Sequence, residues 1–402
     1  LLLWSLPWIV LGGYIVLGVR EPPPLPPRGG PPRGKSSRPA VSVIVPARNE
    51  AHNIGACVGS IAASDYPDFE LIIVDDQSHD GTGARARGIG RGRATRLLVV
   101  DGELVPPGWF GKQWACWQGA CEARGDLLLF TDADTVHGSG LLARAVADLD
   151  TTGGDALTVI GRQTMASFWE QLVQPQVFLL LALRYPRMGV ALPTRRWRSA
   201  IANGQYLLFR QDAYQEIGGH AAVRYEAAED LCLAQRLVAG GRRLIVRSAH
   251  RDLATRMYRG LGEVVAGWSK NMMQAGLRTV PQMLRPCAAP LMLLSGMMIW
   301  LAPPAAFGAA LLGMGETVLL AWSAGVTGCS MLFWTWWGTR FGAPAWVGPL
   351  YPLGAVVGHW ILLRSWLGRS RVEWKGRSYA WDVYADVHEE SAAPGPTRAR
   401  WR

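Results

Sequence analysis

Two short aliphatic runs that end abruptly in carboxylates restrict what this chain can fold into more than any other feature of it. The first reads Leu71-Ile72-Ile73-Val74-Asp75-Asp76-Gln77-Ser78 and the second Leu127-Leu128-Leu129-Phe130-Thr131-Asp132-Ala133-Asp134. Unbroken apolar runs of this length suit strands buried on both faces of a parallel sheet. Carboxylates at their carboxy-terminal tips then form a polar crevice, the place where open α/β sheets bind ligands. The Asp132-x-Asp134 geometry can hold a divalent cation that bridges a nucleotide diphosphate. A third acidic pair, Glu229-Asp230, lies further along. Together the three point to an enzyme that binds a nucleotide-sugar through a metal and supplies a separate carboxylate base.

The pattern around these runs alternates. It predicts strands over Val41–Val45, Glu70–Val74, Arg96–Val100, Asp126–Phe130 and Ala156–Ile160, and helices over Ala51–Ser64, Lys112–Ala123 and Gly138–Asp150. A Gly/Arg-rich helical stretch follows the second strand. Strands alternating with helices imply βαβ units and a mainly parallel sheet. Ser167–Leu183 stands apart: Phe168, Trp169, Leu172, Val173 and Val177–Leu181 cover too much of a helix for an ordinary surface element, and Pro175 would kink it. It fits either a core helix or one lying in a membrane interface.

The chain has 402 residues, enough for one α/β domain plus membrane elements. Its apolar residues are unevenly spread. Residues 1–19 and roughly 287–366 are nearly free of charge, and much of the tryptophan gathers in and around them, as interfacial anchoring requires. About three spans are expected in the second region, near 287–309, 316–337 and 346–366. Three would place the tail opposite the catalytic domain, which its arginines oppose; a re-entrant segment or a different number of spans is the alternative. The net charge is +10. The basic residues sit largely beside the apolar spans: Arg20, Arg28, Arg33, Lys35 and Arg38 after the first, and Arg364, Arg369, Arg371, Lys375 and Arg377 after the last. That placement fits anionic lipid and the positive-inside rule, and no helix-turn-helix, zinc-finger or RNA-binding signature is present, so nucleic acid is not an expected partner. The six cysteines contain no Cys-x-x-Cys spacing and imply no metal knuckle or disulfide framework. The first apolar segment lacks a basic n-region and a small-x-small cleavage site, so an uncleaved anchor is expected.

Val43-Ile44-Val45-Pro46-Ala47-Arg48-Asn49-Glu50, followed by Asp75-Asp76-Gln77-Ser78, resembles the donor-binding half of family 2 glycosyltransferases of the GT-A fold, and the resemblance covers about residues 40–260. It implies that Glu50, Asp76 and Asp75 surround the uridine ribose and base. A carboxylate can accept from ribose hydroxyls or from a pyrimidine imide N–H. Gly111-Lys112-Gln113-Trp114-Ala115-Cys116-Trp117-Gln118-Gly119 is similar to the family's Gly-Lys-x-x-Ala-x-Asn-x-Gly element, with Gln118 in place of the usual Asn, and offers Lys112 to the donor pocket. By the same resemblance Asp134 binds Mg2+ or Mn2+ directly, Asp132 reaches the metal through water or holds the sugar, and His250 is a third ligand. The metal's chemistry is to neutralise charge building on the departing diphosphate. Asn203–Arg210, Ile217-Gly218-Gly219-His220 and Ala228-Glu229-Asp230-Leu231 complete the set. Asp230 is the implied base, Glu229 its neighbour, and the Gly218-Gly219 pair is expected to line the sugar pocket. The Gln-x-x-Arg-Trp motif of processive members is absent, since Val264 and Gly267 stand in its Gln and Arg positions before Trp268. Single transfer is therefore expected.

Two further stretches, Pro107–Ala115 and Val372-Glu373-Trp374-Lys375-Gly376-Arg377-Ser378-Tyr379, resemble bacterial membrane glycosyltransferases acting on carotenoids and, more distantly, hopanoid-associated ones. The expected organisation is an N-terminal transmembrane anchor (1–19), a Pro/Arg-rich linker (20–39), the catalytic domain (40–260), an interfacial helix (261–285), a transmembrane region (286–367) and a basic tail (368–402). The expected enzyme sits in a bacterial inner membrane as a multi-pass protein with its catalytic domain in the cytoplasm. It moves one sugar with inversion from a UDP-sugar to a lipophilic acceptor, a carotenoid-type terpenoid, and membrane lipid surrounds its spans. Competing readings are a polyprenyl phosphate, ceramide or diacylglycerol acceptor, a polysaccharide synthase, and a sugar-binding or transport component. The last is opposed by the scarcity of ionisable residues in the apolar region, namely Glu316, Arg340 and His359.

Overall fold

The computed structural model describes residues 2–27, 38–226, 228–278, 280–368, 371–374 and 377–380. Arg28, Arg33, Lys35, Arg369 and Lys375 lie outside the described residues, as do 381–402 of the expected tail. The chain divides into two compact units. One comprises Glu21–Arg162, Met188–Arg256 and Glu373–Arg402, the other Leu1–Arg20, Gln163–Arg187 and Met257–Val372.

The larger unit is built on a seven-stranded sheet. Its strands, together with those of two smaller sheets, are β1 (Val41–Ala47), β2 (Phe69–Asp75), β3 (Arg96–Asp101), β4 (Leu127–Phe130), β5 (Thr135–His137), β6 (Ala156–Ile160), β7 (Arg162–Gln163), β8 (Leu207–Arg210), β9 (Leu244–Ser248), β10 (Leu253–Thr255), β11 (Arg371–Trp374) and β12 (Arg377–Ala380). The main order is β3-β2-β1-β4-β8-β6-β9. Every pairing is parallel except those of β8, which runs antiparallel to β4 and to β6. This is the mainly parallel GT-A-like α/β arrangement expected. β5 and β10 pair antiparallel in a three-stranded sheet with β7, and β11 with β12 forms a two-stranded one.

The apolar runs are unbroken because both faces of the sheet are covered. Val43, Val45, Leu71, Ile73, Leu127 and Leu129 join one buried cluster with the Ile54–Ala62 and Leu141–Thr152 helices. Their alternates Ile44, Ile72, Val74, Leu128 and Phe130 join another with the Gly111–Glu122 and Glu229–Ala239 helices. Register does the rest: Ala47 stands opposite Asp75, and Ile44 opposite both Ile72 and Phe130. The carboxy-terminal ends of β1, β2 and β4 therefore open on one edge of the sheet.

The second unit is helical and apolar. Arg285–Leu311, Thr317–Arg340 and Ala345–Leu367 are long and apolar enough to cross a membrane. The first helix, Leu2–Gly18, has 17 residues. At about 1.5 Å per residue it reaches roughly 25 Å, short of a hydrocarbon core of about 30 Å, so the anchor expected over 1–19 is only partly matched. It packs with the others through indole donors: Trp8 Nε1 donates to the Ile299 carbonyl at 3.0 Å and Trp322 Nε1 to Ser5 Oγ at 3.1 Å. Phe168–Arg184 belongs here too. Its start carries a Ser167/Glu170 capping box, and Trp337 Nε1 donates to the Pro175 carbonyl at 2.8 Å. Leu172 and Val173 pack with Val264, Val265, Val347 and Ile361. This is why its apolar face is too wide for a surface helix.

Candidate active site

The site lies within the α/β unit and has two ends. At the first, the turns after β1 and β2 are tied to each other. Asn49 and Gln77 both adopt left-handed backbone, with φ of 52° and 55°. For residues other than glycine this costs energy and is found where a surrounding network holds it. Asn49 N–H donates to Ser78 Oγ at 2.9 Å, and His79 N–H returns a bond to Asn49 Oδ1 at 3.0 Å. From inside, buried Arg48 donates to the carbonyls of Asp76 and Gln77 at 2.5 and 3.1 Å. Asp75 Oδ1 accepts from Ser78 N–H, while its Oδ2 lies so close to Gly83 that a Cβ there would sit at 2.1 Å. Glu50 accepts from Asn53 Nδ2 at 2.7 Å, and its own N–H donates to Thr82 Oγ1 at 2.8 Å. Asp76 is 1% exposed. Its two oxygens accept from Arg377 Nη1 at 2.8 and 2.7 Å. Burial raises its proton affinity above the ordinary carboxylate value, while Arg377 and Arg48 act in the opposite sense.

The second end is the loop after β4. Thr131 Oγ1 donates to the Gln205 carbonyl at 2.7 Å, and Thr135 Oγ1 to the Asp132 carbonyl at 2.7 Å. His137 Nε2 stands 3.0 Å from both threonine hydroxyls. Burial depresses its pKa to about 3, so the ring is a neutral brace. Within this frame Asp132 Oδ1 is 2.7 Å from Lys112 Nζ, and the same ammonium is 2.7 Å from Glu229 Oε1. Burial works against the lysine's charge, but Asp132 and Glu229 override it and hold its pKa well above the ordinary value. Asp230 begins the Glu229–Ala239 helix beside them. It accepts from Gly204 N–H at 2.8 Å and Leu231 N–H at 2.7 Å. Its pKa rises to about 6, first through burial and then through the charge of Glu229, with Lys112 and the two N–H groups opposing. Lys112, Asp132, Gly204, His220, Glu229 and Asp230 line a common pocket.

Of the residues expected from sequence, Lys112, Asp132, Glu229 and Asp230 are brought together, while Glu50, Asp75 and Asp76 gather at the β1 and β2 ends. Asp134 is partly buried with Oδ1 enclosed, and His250 is exposed. Among the described residues no three His, Cys, Asp or Glu side chains are grouped as a metal-ligand set. The glycine pair plays a different part from the one expected. Gly218 and Gly219 have φ of 80° and 51°, and a Cβ at Gly219 would meet the Tyr214 ring at 2.6 Å. The pair seats His220, whose N–H and Nδ1 lie 3.0 and 2.8 Å from Tyr214 Oη. The close approach at the pocket falls to Gly204, where a Cβ would stand 3.2 Å from Lys112 Nζ and 3.3 Å from Asp230 Oδ2. Sequence reasoning gave Gly204, His137 and Arg48 no role of their own, and set Arg377 among the basic residues beside the apolar spans rather than in the site. Gly204, Arg48 and Arg377 each lie in a quoted motif, but nothing local marks which glycine or arginine meets a side chain from a distant segment.

Residues 42–218 match the model of glycosyl transferase family 2. A 4,4'-diaponeurosporenoate glycosyltransferase of Staphylococcus aureus (strain MRSA252) is 26% identical over 355 residues, 85% of this chain and 88% of that relative. Its counterpart in strain USA300 is 27% identical over 248 residues, 61% of this chain and 64% of the relative. Among solved structures, a mannosyltransferase from Pyrobaculum calidifontis in complex with GDP-Man and Mn2+ is 19% identical with a TM-score of 0.48, covering 89% of this chain and 94% of that one. Values that low do not bear on donor or metal. The family match, the strand order and the order of the motifs agree: the chain is an enzyme that carries a glycosyl transferase family 2 domain over residues 42–218, with a GT-A-like sheet, and it resembles carotenoid-associated members of that family.

Proposed function

We propose that this enzyme moves one sugar, with inversion, from a UDP-sugar to a lipophilic acceptor of carotenoid type. The observation that carries the reading is Lys112 held between Asp132 and Glu229, with Asp230 alongside on its own N–H donors. Two acidic groups thus differ in kind within one pocket. Asp132 is paired with a cation, which suits a group facing a charged donor. Asp230 has a pKa of about 6, near the working range of a general base.

In the transfer, Asp230 takes the proton of the acceptor hydroxyl as that oxygen bonds to the anomeric carbon. The bond from this carbon to the diphosphate breaks on the opposite side, and the diphosphate leaves with the electron pair. Lys112 stabilises charge on the donor side, and His220, neutral with a pKa of about 3 because of burial, fills the pocket wall without adding charge. Asp132 and Asp134 would hold Mg2+ or Mn2+, which prefers hard oxygen donors of this kind. Bound there, the ion would supply charge neutralisation for the departing diphosphate. His250 belongs to this set only as a residue of the family pattern, since it is exposed. The apolar helices and the resemblance to diaponeurosporenoate glycosyltransferases support a membrane-borne acceptor, with the catalytic unit on the cytoplasmic side where nucleotide-sugars are made.

The test is product stereochemistry with Asp230→Asn alongside. An inverted anomeric centre by NMR and a slow, donor-binding variant are expected. Retention of configuration, or normal turnover by Asp230→Asn, would remove Asp230 from the role of base.

A further inference from the structure

The tail motif around Arg377 has no part in the chemistry above, yet it reaches the site. Arg377 opens β12, some three hundred residues from β2 in the chain, and lies in the same compact unit. Its Nη1 donates to both oxygens of Asp76, and its Nη2 donates to Gln77 Oε1 at 2.6 Å. The Asp76 side chain is 2% exposed and that of Arg377 18%. The carboxylate therefore lies beneath the guanidinium, and a nucleotide arriving at the β1 and β2 ends meets the arginine first.

Displacing that arginine is unfavourable. The pair is charge-assisted and enclosed, and an imide N–H or a ribose hydroxyl is a weaker donor to a carboxylate than a guanidinium. Breaking a buried ion pair by withdrawing one partner leaves an uncompensated charge. The corner beneath is braced as well: Arg48 holds the Asp76 and Gln77 carbonyls, and Gln77 keeps its left-handed backbone. Asp76 and Gln77 together hold both terminal nitrogens of the planar group, an arrangement that aims an arginine.

We propose that Arg377 is the residue that contacts the donor nucleotide at this corner, offering N–H donors to acceptor atoms of its base, ribose or diphosphate, and that Asp76 and Gln77 are positioning residues that aim it. The inference rests on the reading of the β1 and β2 ends as the nucleotide subsite. It makes that subsite a joint product of the strand ends and strand β12.

The experiment is calorimetric titration of the full-length protein with UDP, together with donor KM and kcat, for wild type and for Arg377→Met, Arg377→Lys, Asp76→Asn and Glu50→Gln. Arg377→Met should weaken UDP binding about tenfold or more and raise donor KM by a similar factor, while kcat at saturating donor stays within about threefold. Arg377→Lys should recover part of the loss. Asp76→Asn should cost less than Arg377→Met, because an amide oxygen still accepts from the guanidinium. Unchanged thermal unfolding of Arg377→Lys separates this from loss of fold. Tighter UDP binding by Arg377→Met would make the arginine a plug and overturn the inference. A larger loss in Asp76→Asn than in Arg377→Met would return the contact to the carboxylate, overturning the inference but not the subsite. If Asp76→Asn, Glu50→Gln and Arg377→Met all bind UDP as wild type does, the subsite reading falls and the inference with it.

Discussion

The acidic tips of β2 and β4 are close relatives in sequence and opposites in the folded protein. Each follows an aliphatic strand, and each places a carboxylate just beyond it. Asp76 is sealed under an arginine from the end of the chain. Asp132 shares a lysine with Glu229 in a pocket that also holds Asp230. At the first tip Arg377 pairs with Asp76, Arg48 braces the carbonyls beneath, and the corner is fixed. At the second, one cation lies among three carboxylates, and burial together with the charge of Glu229 leaves Asp230 able to take a proton. What a strand-end carboxylate does thus depends on the cations the remaining chain delivers to it.

That contrast predicts a steep ranking of effects at the β4 tip. The largest is expected from Asp230→Asn. It keeps shape and an acceptor oxygen but takes no proton, so turnover should fall by roughly two to four orders of magnitude while UDP binding survives. Glu229→Gln, assayed in parallel, should be milder. Comparable losses in both would dissolve the distinction drawn between them.

Asp134→Ala comes next, and it is expected to abolish metal-dependent UDP binding and transfer with little change in thermal unfolding. EDTA should reproduce the loss in wild type. Full activity in EDTA would break the assignment of Asp132 and Asp134 to a metal.

Lys112→Met should lower kcat/KM by about ten- to a hundredfold, since it removes the cation shared by Asp132 and Glu229. It should also move the pH profile. Asp230 acts as a base only when ionised, so wild-type kcat should rise with pH through about 6 and be lost on the acid side. Lys112 lowers the proton affinity of Asp230, so the residual activity of the variant should show its acid limb at higher pH. A limb that stays in place would uncouple the two residues. The stability effect has the opposite sense to the kinetic one. A carboxyl whose folded pKa is raised holds its proton more tightly than in the unfolded chain, so stability is withdrawn as pH rises from the ordinary carboxylate value through about 6.

The smallest effect is expected from Gly204→Ala. A Cβ at 3.2 to 3.3 Å from Lys112 Nζ and Asp230 Oδ2 requires both to yield slightly, so a loss of about two- to fivefold in kcat with an intact fold is expected. An activity unchanged by this substitution would show that the pocket has more room than its geometry indicates.

Much of this was legible in residue order. The aliphatic runs announced buried parallel strands, and the helix predicted over Lys112–Ala123 is found over Gly111–Glu122. Lys112, Asp132, Glu229 and Asp230 were named from their motifs and do converge. The antiparallel strand β8 was not legible. Leu207–Arg210 is only four residues long, and its direction follows from inserting between β4 and β6 rather than from its composition. Nothing in the sequence marks His137, whose part depends on the two threonine hydroxyls around its ring.

The sequence by itself determined the α/β class, the edge of the sheet on which carboxylates appear, and the apolar character of the terminal segments. Those properties follow from local periodicity and from the chemistry of neighbouring residues, which a chain carries whether or not it is folded. Only the tertiary structure decided which cation meets which carboxylate. Lys112 with Asp132 and Glu229, Gly204 with Asp230, and Arg377 with Asp76 join segments far apart in the chain, and charge interactions act over a few ångströms in space. Residue spacing carries no record of that distance until the sheet has closed it.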